Sequence, residues 1–287
     1  MRHQILVALD HLRPKDPRLS LGAASVVANL LKHQVPHSVF SGNVALEHAI
    51  DETVETIAAK VLSIGGDAGS KCDVILGSFV WNEPYIQQIV QLLRKYHFPG
   101  RIGLAGPQVS YAPKNTLETL YQHVDFFIRG YAEDAVVCIA KGDPAPLGVH
   151  WARSPDENKQ STTNLAQLPS PHLSGVLQPG NFIRWETQRG CPYTCSFCQH
   201  RDAGGGFNKY GADRIHKEIL FFSDVAQHAE IAVVDPSFNI STEHSVMVLE
   251  SFARECKLYA CEARGGARVC DKQIVRVVRR GRIPGHH

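Results

Sequence analysis

The chain has 287 residues, 44% of them hydrophobic and 20% charged, the balance of a soluble globular protein with room for two domains. A formal net charge of +2 gives no electrostatic case for nucleic acid as a partner. No apolar run approaches the roughly 18 residues of a membrane span, and Met1 to Asp10 reads as a charged start and a short strand, not a secretory signal. A cytoplasmic α/β protein is expected.

Ile5-Leu6-Val7-Ala8-Leu9 is a continuous apolar run ending at Asp10, the pattern of a strand buried on both faces. Leu19, Ala23, Val26, Val27, Leu30 and Leu31 then fall at helical spacing. Ser38-Val39-Phe40 is a second strand, ended by Ser41-Gly42-Asn43. Leu46, Ile50, Val54, Ile57 and Val61 mark a second helix, and Asp73 to Val80 a third strand. Pro84 suits the first turn of the next helix, whose apolar face is Ile86, Ile89, Val90, Leu93 and Tyr96. Arg101 to Ala105 and Asp125 to Ile128 are the fourth and fifth strands.

This alternation argues for a doubly wound parallel sheet over residues 1–143. Such sheets bind ligands beyond the carboxyl ends of their strands, at the switch point. Asp10, Ser41-Gly42, Ser78 to Asn82 and Ala105 to Ser110 lie there, with Ser78, Asn82, Gly106 and Gln108 as the candidate contacts. The plainer reading is that these small polar residues make turns. Residues 144–180 are rich in Pro, Ser, Asn and Gln, as a connector should be, with one short strand at Val149-His150-Trp151-Ala152.

Residues 181–287 open with an apolar run, Asn181 to Trp185. It leads to Cys191, Cys195 and Cys198, three of the eight cysteines, spaced C-x3-C-x2-C on a loop. Thiolates suit iron–sulfur clusters or zinc. Three of them hold three irons of a cubane and leave the fourth open for a substrate or cofactor. Structural zinc takes four ligands, so zinc needs His200 as a fourth. Disulfides are the weaker alternative without an oxidising compartment. Gly204-Gly205-Gly206 follows as a loop that closes over a ligand or is merely flexible. A helix then runs from about Ala212 to Ser223. Glu230 to Val234 is a strand ending in Asp235-Pro236-Ser237-Phe238-Asn239. Polar residues at such a strand end face a barrel's active-site mouth; alternatively Asp235 caps the helix that runs from about Glu243 to Glu255. Cys256, Cys261 and Cys270 show no ligand spacing. No side chain stands out as a general acid or base.

The string R-G-C-P-Y-T-C-S-F-C, with Phe197 before the third cysteine, resembles the radical S-adenosylmethionine (radical SAM) enzymes, and within them the subgroup carrying an N-terminal cobalamin-binding domain. In that family this spacing binds a 4Fe-4S cluster, and S-adenosylmethionine chelates the open iron. The strings G-S-F-V-W-N, A-G-P-Q-V-S and F-I-R-G-Y-A-E-D resemble the cobalamin domain, although Tyr131 stands where an acidic residue is usual. The motif D-x-H-x-x-G, whose His ligates cobalt, is absent, and Asp10-His11-Leu12 does not supply it. Either cobalamin binds without a lower His or the fold carries none. The resemblance places Asp235 and Asn239 beside S-adenosylmethionine, and Glu262 and Arg264, at the end of a third strand, toward its ribose.

The family's barrel has six strand–helix units, which need about 180 residues, whereas 181–287 is 107 residues long. A partial (βα) barrel is therefore expected, from a truncated or frame-shifted product of a longer enzyme. The resemblance implies reductive cleavage of S-adenosylmethionine to a 5′-deoxyadenosyl radical. It implies hydrogen abstraction from an unactivated carbon of a small-molecule substrate, with methyl transfer as the leading outcome and flavodoxin or ferredoxin as electron donor. The alternative is a non-catalytic remnant or binding module that keeps the cobalamin-type domain.

Overall fold

In a computed structural model of the chain, residues 1–12, 14–45, 50–144, 146–193, 195–198, 207–225, 229–255 and 260–263 are described. The chain divides into two compact units. One holds Met1–Arg13, Pro17–Pro171 and Thr194–Gly205; the other holds Pro14–Asp16, His172–Tyr193 and Gly206–His287.

The first unit is built on β1 (His3–Asp10), β2 (His37–Asn43), β3 (Cys72–Gly77), β4 (Arg101–Ala105), β5 (Phe126–Ile128) and β6 (Val149–Trp151). They form one sheet in the order β2-β1-β3-β4-β5-β6. The first five run parallel, and β6 closes the edge antiparallel to β5. Parallel strands need crossover connections. These are the helices α1 (Leu21–Lys32), α2 (Ile50–Ala68) and α3 (Glu83–Lys95) and, from β4 to β5, two short turns of helix, α4 (Pro107–Ser110) and α5 (Leu117–Leu120), while α6 (Glu133–Lys141) joins β5 to the antiparallel β6. Alternate strand residues explain the layering. Ile5, Val7, Leu9, Val74, Leu76, Ile102 and Leu104 share one core with Val54, Ile57 and Val61 of α2 and with Ile86, Ile89, Val90 and Leu93 of α3. Helices α1 and α6 pack together through the buried Asn29, whose amide donates to Glu133 O at 3.0 Å and to Asp134 Oδ1 at 2.9 Å. The expected α/β class and doubly wound sheet are present.

Two segments differ from the sequence reading. The third strand ends at Gly77 rather than Val80, because Asn82 Oδ1 accepts from Phe79 N at 2.8 Å and turns the chain. The connector's expected short strand is present as β6, but it joins the first sheet beside β5, and the chain beyond it packs back against the residues after β5. Ser161 N donates to Arg129 O at 2.7 Å, and Tyr131 N to Ser161 O at 3.0 Å. Gly148 is required for this approach: its φ is +92°, and a Cβ there would lie 2.1 Å from Ser161 N, a conformation and a distance only glycine tolerates.

The second unit has β7 (Phe182–Trp185), β10 (Glu230–Val233) and β11 (Ala260–Ala263) as a parallel sheet in the order β11-β10-β7. Its helices are α7 (Ala212–Val225) and α8 (Thr242–Glu255). Strand–helix alternation is therefore present here too, with three parallel strands among the described residues. Trp185 centres the core, edge-on to Phe222 at 5.8 Å and to Phe252 at 5.2 Å. Its indole N–H donates to the buried Glu218 at 2.7 Å. Between β7 and α7 lies a small antiparallel pair, β8 (Gln188–Arg189) with β9 (Asn208–Lys209). No helix among the described residues is long and apolar enough to cross a membrane.

Candidate cofactor sites

In the first unit the chain passes from β1 to β2 on one side and then to β3 on the other. The order reverses between β1 and β3, which makes their carboxyl ends the switch point. Asn82 is buried there, and its amide donates to Leu9 O at 2.8 Å and Gly77 O at 2.9 Å. It ties the two strand ends together and holds the β3–α3 loop in shape. That loop leaves Val80 72% and Trp81 41% exposed. Phe79 stacks on Trp81 at 4.7 Å, and the His11 ring lies 6.4 Å from it. Exposed side chains of this size on one loop offer an apolar face to a planar ligand.

The β4 loop is set against the β3 loop by backbone contact. Gly106 has φ +103°, and a Cβ on it would meet Ser78 O at 2.6 Å. Ser78 is fully buried; its N–H donates to Ala105 O at 2.7 Å, and its carbonyl accepts from Gln108 N at 3.3 Å. Gln108 reaches Glu83 at 2.7 Å, and Glu83 also accepts from the Tyr121 hydroxyl at 2.6 Å. Burial and this carboxylate raise the Tyr121 phenol far above its ordinary value. Thus Ser78, Asn82, Gly106 and Gln108 gather at the switch point, each held by the protein itself.

The cysteine run lies in sequence between β8 and β9 of the second unit, where residues 188 and 209 pair, as do 189 and 208; Cys191 belongs to that unit, and Cys195 and Cys198 to the first. Cys191 and Cys198 are half-buried and Cys195 is exposed, all as free thiols. Cys198 N donates to Cys195 O at 3.0 Å, closing a turn whose Phe197 is 89% exposed. By donor type these thiols suit an iron–sulfur cluster. Among the described residues, no three His, Cys, Asp or Glu side chains are gathered closely enough to hold a metal as they stand. His200, Gly204 to Gly206, Arg264, Cys256 and Cys270 lie outside the described residues; Glu262 and Cys261 lie on β11, where only the backbone is described.

The base of the loop is densely bonded. Glu186 accepts from Arg189 Nε at 2.7 Å and from the Tyr210 hydroxyl at 2.8 Å. The Arg214 guanidinium lies 3.7 Å from the Tyr210 ring centre and reaches Glu218 at 3.2 Å. Asp235, just past β10, is 1% exposed. Its Oδ1 accepts from Thr187 N at 2.7 Å and Gln188 N at 3.3 Å, and its Oδ2 from the Thr187 hydroxyl at 2.5 Å. Burial pushes its carboxyl up to about 7 against these donors. The alternative that Asp235 caps α8 is overturned: the helix starts at Thr242, and the Ser241 hydroxyl accepts from His244 N at 3.3 Å. Asn239 is exposed and 3.4 Å from the Ser237 hydroxyl. Sequence reading missed Thr187, Glu186 and His244, because nothing local marks residues whose partners lie far along the chain.

No family model matches the chain. Over 197 residues, 58% of its length, it is 26% identical to the cobalamin-dependent radical SAM methyltransferase TokK of Streptomyces tokunonensis. It is 27% identical over 198 residues to the 2-(S-pantetheinyl)-carbapenam-3-carboxylate methyltransferase of Streptantibioticus cattleyicolor. The matched stretch spans 27% of each of these relatives. In fold the chain is similar to the cobalamin-dependent S-adenosylmethionine radical enzyme OxsB, with TM-score 0.68 and 14% identity over 92% of this chain and 39% of OxsB. It is likewise similar to the radical S-adenosylmethionine methyltransferase TsrM from Kitasatospora setae, with TM-score 0.62 and 15% identity over 88% of this chain and 51% of TsrM. In sequence the chain is similar to cobalamin-dependent radical SAM methyltransferases, and in fold it is similar to cobalamin-dependent S-adenosylmethionine radical enzymes.

Proposed function

We propose that the chain carries the cofactor-binding part of a cobalamin-dependent radical SAM methyltransferase acting on an unactivated carbon of a small molecule. The observation that carries the reading is the loop of Cys191, Cys195 and Cys198: free, accessible thiols on a loop that follows a parallel strand and is closed at its root by β8 and β9. These cysteines hold three irons of a 4Fe-4S cluster and leave the fourth open for S-adenosylmethionine. Residues 1–143, with the connector 144–180 adding an edge strand to their sheet, take cobalamin at the switch point; residues 181–287 take the cluster. The bound cofactors supply the radical and methyl-transfer chemistry. The protein's own part is to hold and orient them. Val80 and Trp81 present an apolar face, and Asn82 and Gly106 fix the loops beneath it. Flavodoxin or ferredoxin in the cytoplasm is the proposed electron source.

The alternative is a non-catalytic remnant or binding module that retains the cobalamin-type domain. Anaerobic reconstitution with iron and sulfide, followed by EPR of the reduced chain, separates the two. A cubane signal that S-adenosylmethionine shifts is expected from the enzyme reading. A chain that takes no cluster, or holds one indifferent to S-adenosylmethionine, rules that reading out. Absorbance of added aquacobalamin reads the other site, where Trp81→Ala is expected to weaken binding.

A further inference from the structure

We propose that Asp235 is a positioning residue for the cysteine loop, acting through Thr187 and Gln188 and touching no cofactor. The inference deepens the reading above and rests on Cys191, Cys195 and Cys198 being cluster ligands. Thr187 and Gln188 lie where the chain passes from β7 into β8, and Cys191 follows Thr187 by four residues. Nothing in the sequence links that turn to Asp235, 48 residues later, yet all three recorded bonds of the buried carboxylate go to it. The next residues of the same strand end repeat the connection. Gln188 Nε2 donates to Ser237 O at 2.5 Å and to Phe238 O at 3.1 Å.

The hydroxyl of Thr187 settles the direction of the network. Asp235 is an acceptor when ionised, so Thr187 O–H donates to it and keeps its lone pairs for another donor. His244 of α8 fills that role, with Nε2 at 3.0 Å from Thr187 Oγ1. The Thr187 carbonyl accepts from Tyr210 N at 3.1 Å, where the chain comes back from the loop. One residue therefore ties the outgoing strand, the returning strand, the end of β10 and α8. Thr187 and Asp235 are almost fully buried, whereas the cysteines are half-buried or exposed. A buried, multiply bonded root at the start of the cysteine run is what outer-shell residues of a metal site provide.

The test uses the full chain with ferrous iron and sulfide as the probe, in wild type, Asp235→Ala, Asp235→Asn and Thr187→Val. Iron retained against a chelator is measured, then EPR before and after S-adenosylmethionine. Asp235→Ala is expected to retain iron roughly 10- to 100-fold less well and to change the EPR line shape before S-adenosylmethionine is added. Asp235→Asn keeps an acceptor for the Thr187 amide and is expected to rescue both. Thr187→Val leaves the Asp235 carboxylate and its backbone bonds in place, and is expected to lose iron to an intermediate degree even if Asp235→Ala fails to fold. Equal iron retention and equal EPR in all four chains overturns the proposal. So does a set of variants that keeps iron and loses only affinity for S-adenosylmethionine, because Asp235 then contacts the cofactor. If wild type takes no cluster, the functional reading falls, and amide hydrogen exchange of the metal-free chain decides the rest. Faster exchange across residues 186–189 in Asp235→Ala supports the brace, and unchanged exchange overturns it.

Discussion

Asp156 and Asp235 are both buried, and each closes a long-range loop. Asp156 lies in the connector beyond β6 and meets the guanidinium of Arg129 at 2.8 Å, along with Asn115 N at 2.9 Å and Asn158 N at 2.8 Å. Arg129 in turn donates to the carbonyls of Val109 at 3.0 Å and Ala112 at 2.6 Å. Asp235 has three recorded bonds, all from neutral donors. Burial tends to raise both carboxyls. At Asp156 two backbone N–H groups and Arg129 outweigh it and hold the carboxyl below its usual value. At Asp235 burial prevails, and the carboxyl rises to about 7. The sheet edge is thus fastened by a lasting charge pair, and the root of the cysteine loop by a carboxylate that titrates near neutrality.

Breaking the first clamp has the largest expected effect. Arg129→Ala leaves the Asp156 charge buried without its cation, which costs about 3–5 kcal/mol. Urea unfolding reads the loss, and amide exchange at Gly148 to Trp151 localises it to β6. A loss below about 1 kcal/mol would show that the backbone amides hold Asp156 unaided.

The pH profile sharpens the contrast. The unfolded Asp235 carboxyl titrates near 3.9 and the folded one at about 7, so the folded chain binds this proton more tightly. Its stabilising contribution is complete below about pH 4 and is lost as pH rises through about 7, a swing on the order of a few kcal/mol. Asp156 has the opposite sign: its contribution is present above the unfolded value and is lost as pH falls through its lowered folded value. Asp235→Asn should flatten the decline in stability between about pH 4 and 7 and melt no earlier than wild type at pH 8. An unchanged pH profile would mean that Asp235 does not carry this proton.

Glu218 is another buried acid, and Arg214 accompanies it at 3.2 Å. Trp185→Phe keeps an aromatic ring between Phe222 and Phe252 but removes the N–H bond to Glu218. It should cost about 1–3 kcal/mol in urea unfolding. The smallest change is Thr187→Ser, which keeps the hydroxyl and deletes one methyl group. A cost of about 1 kcal/mol or less, with the loop root intact by amide exchange, would show that the hydroxyl rather than the methyl matters there.

Much of the architecture was legible because it is locally written. Ile5 to Leu9 and Arg101 to Ala105 are short apolar runs between polar breaks, and they form β1 and β4. Val54, Ile57 and Val61 recur at helical spacing and face the core of the first unit. The cysteine run was legible for a chemical reason: three thiols at C-x3-C-x2-C are a ligand pattern whatever fold surrounds them. The β6 strand was harder to weigh. Val149 to Trp151 is too short for a periodic pattern, and its place depends on Gly148 letting Ser161 lie against it.

By itself the sequence determined the kinds of element, their alternation and the donor set of the candidate cluster, because backbone propensity, side-chain period and ligand chemistry act between residues close along the chain. The tertiary structure alone decided the strand order that places the switch point between β1 and β3. It also decided the use of Asn82 as a tie between strand ends and the reach of Asp235 back to Thr187. Those outcomes depend on pairings across tens of residues. A buried polar group takes whichever partner the packed chain brings within hydrogen-bonding distance, and leaving it without one is costly.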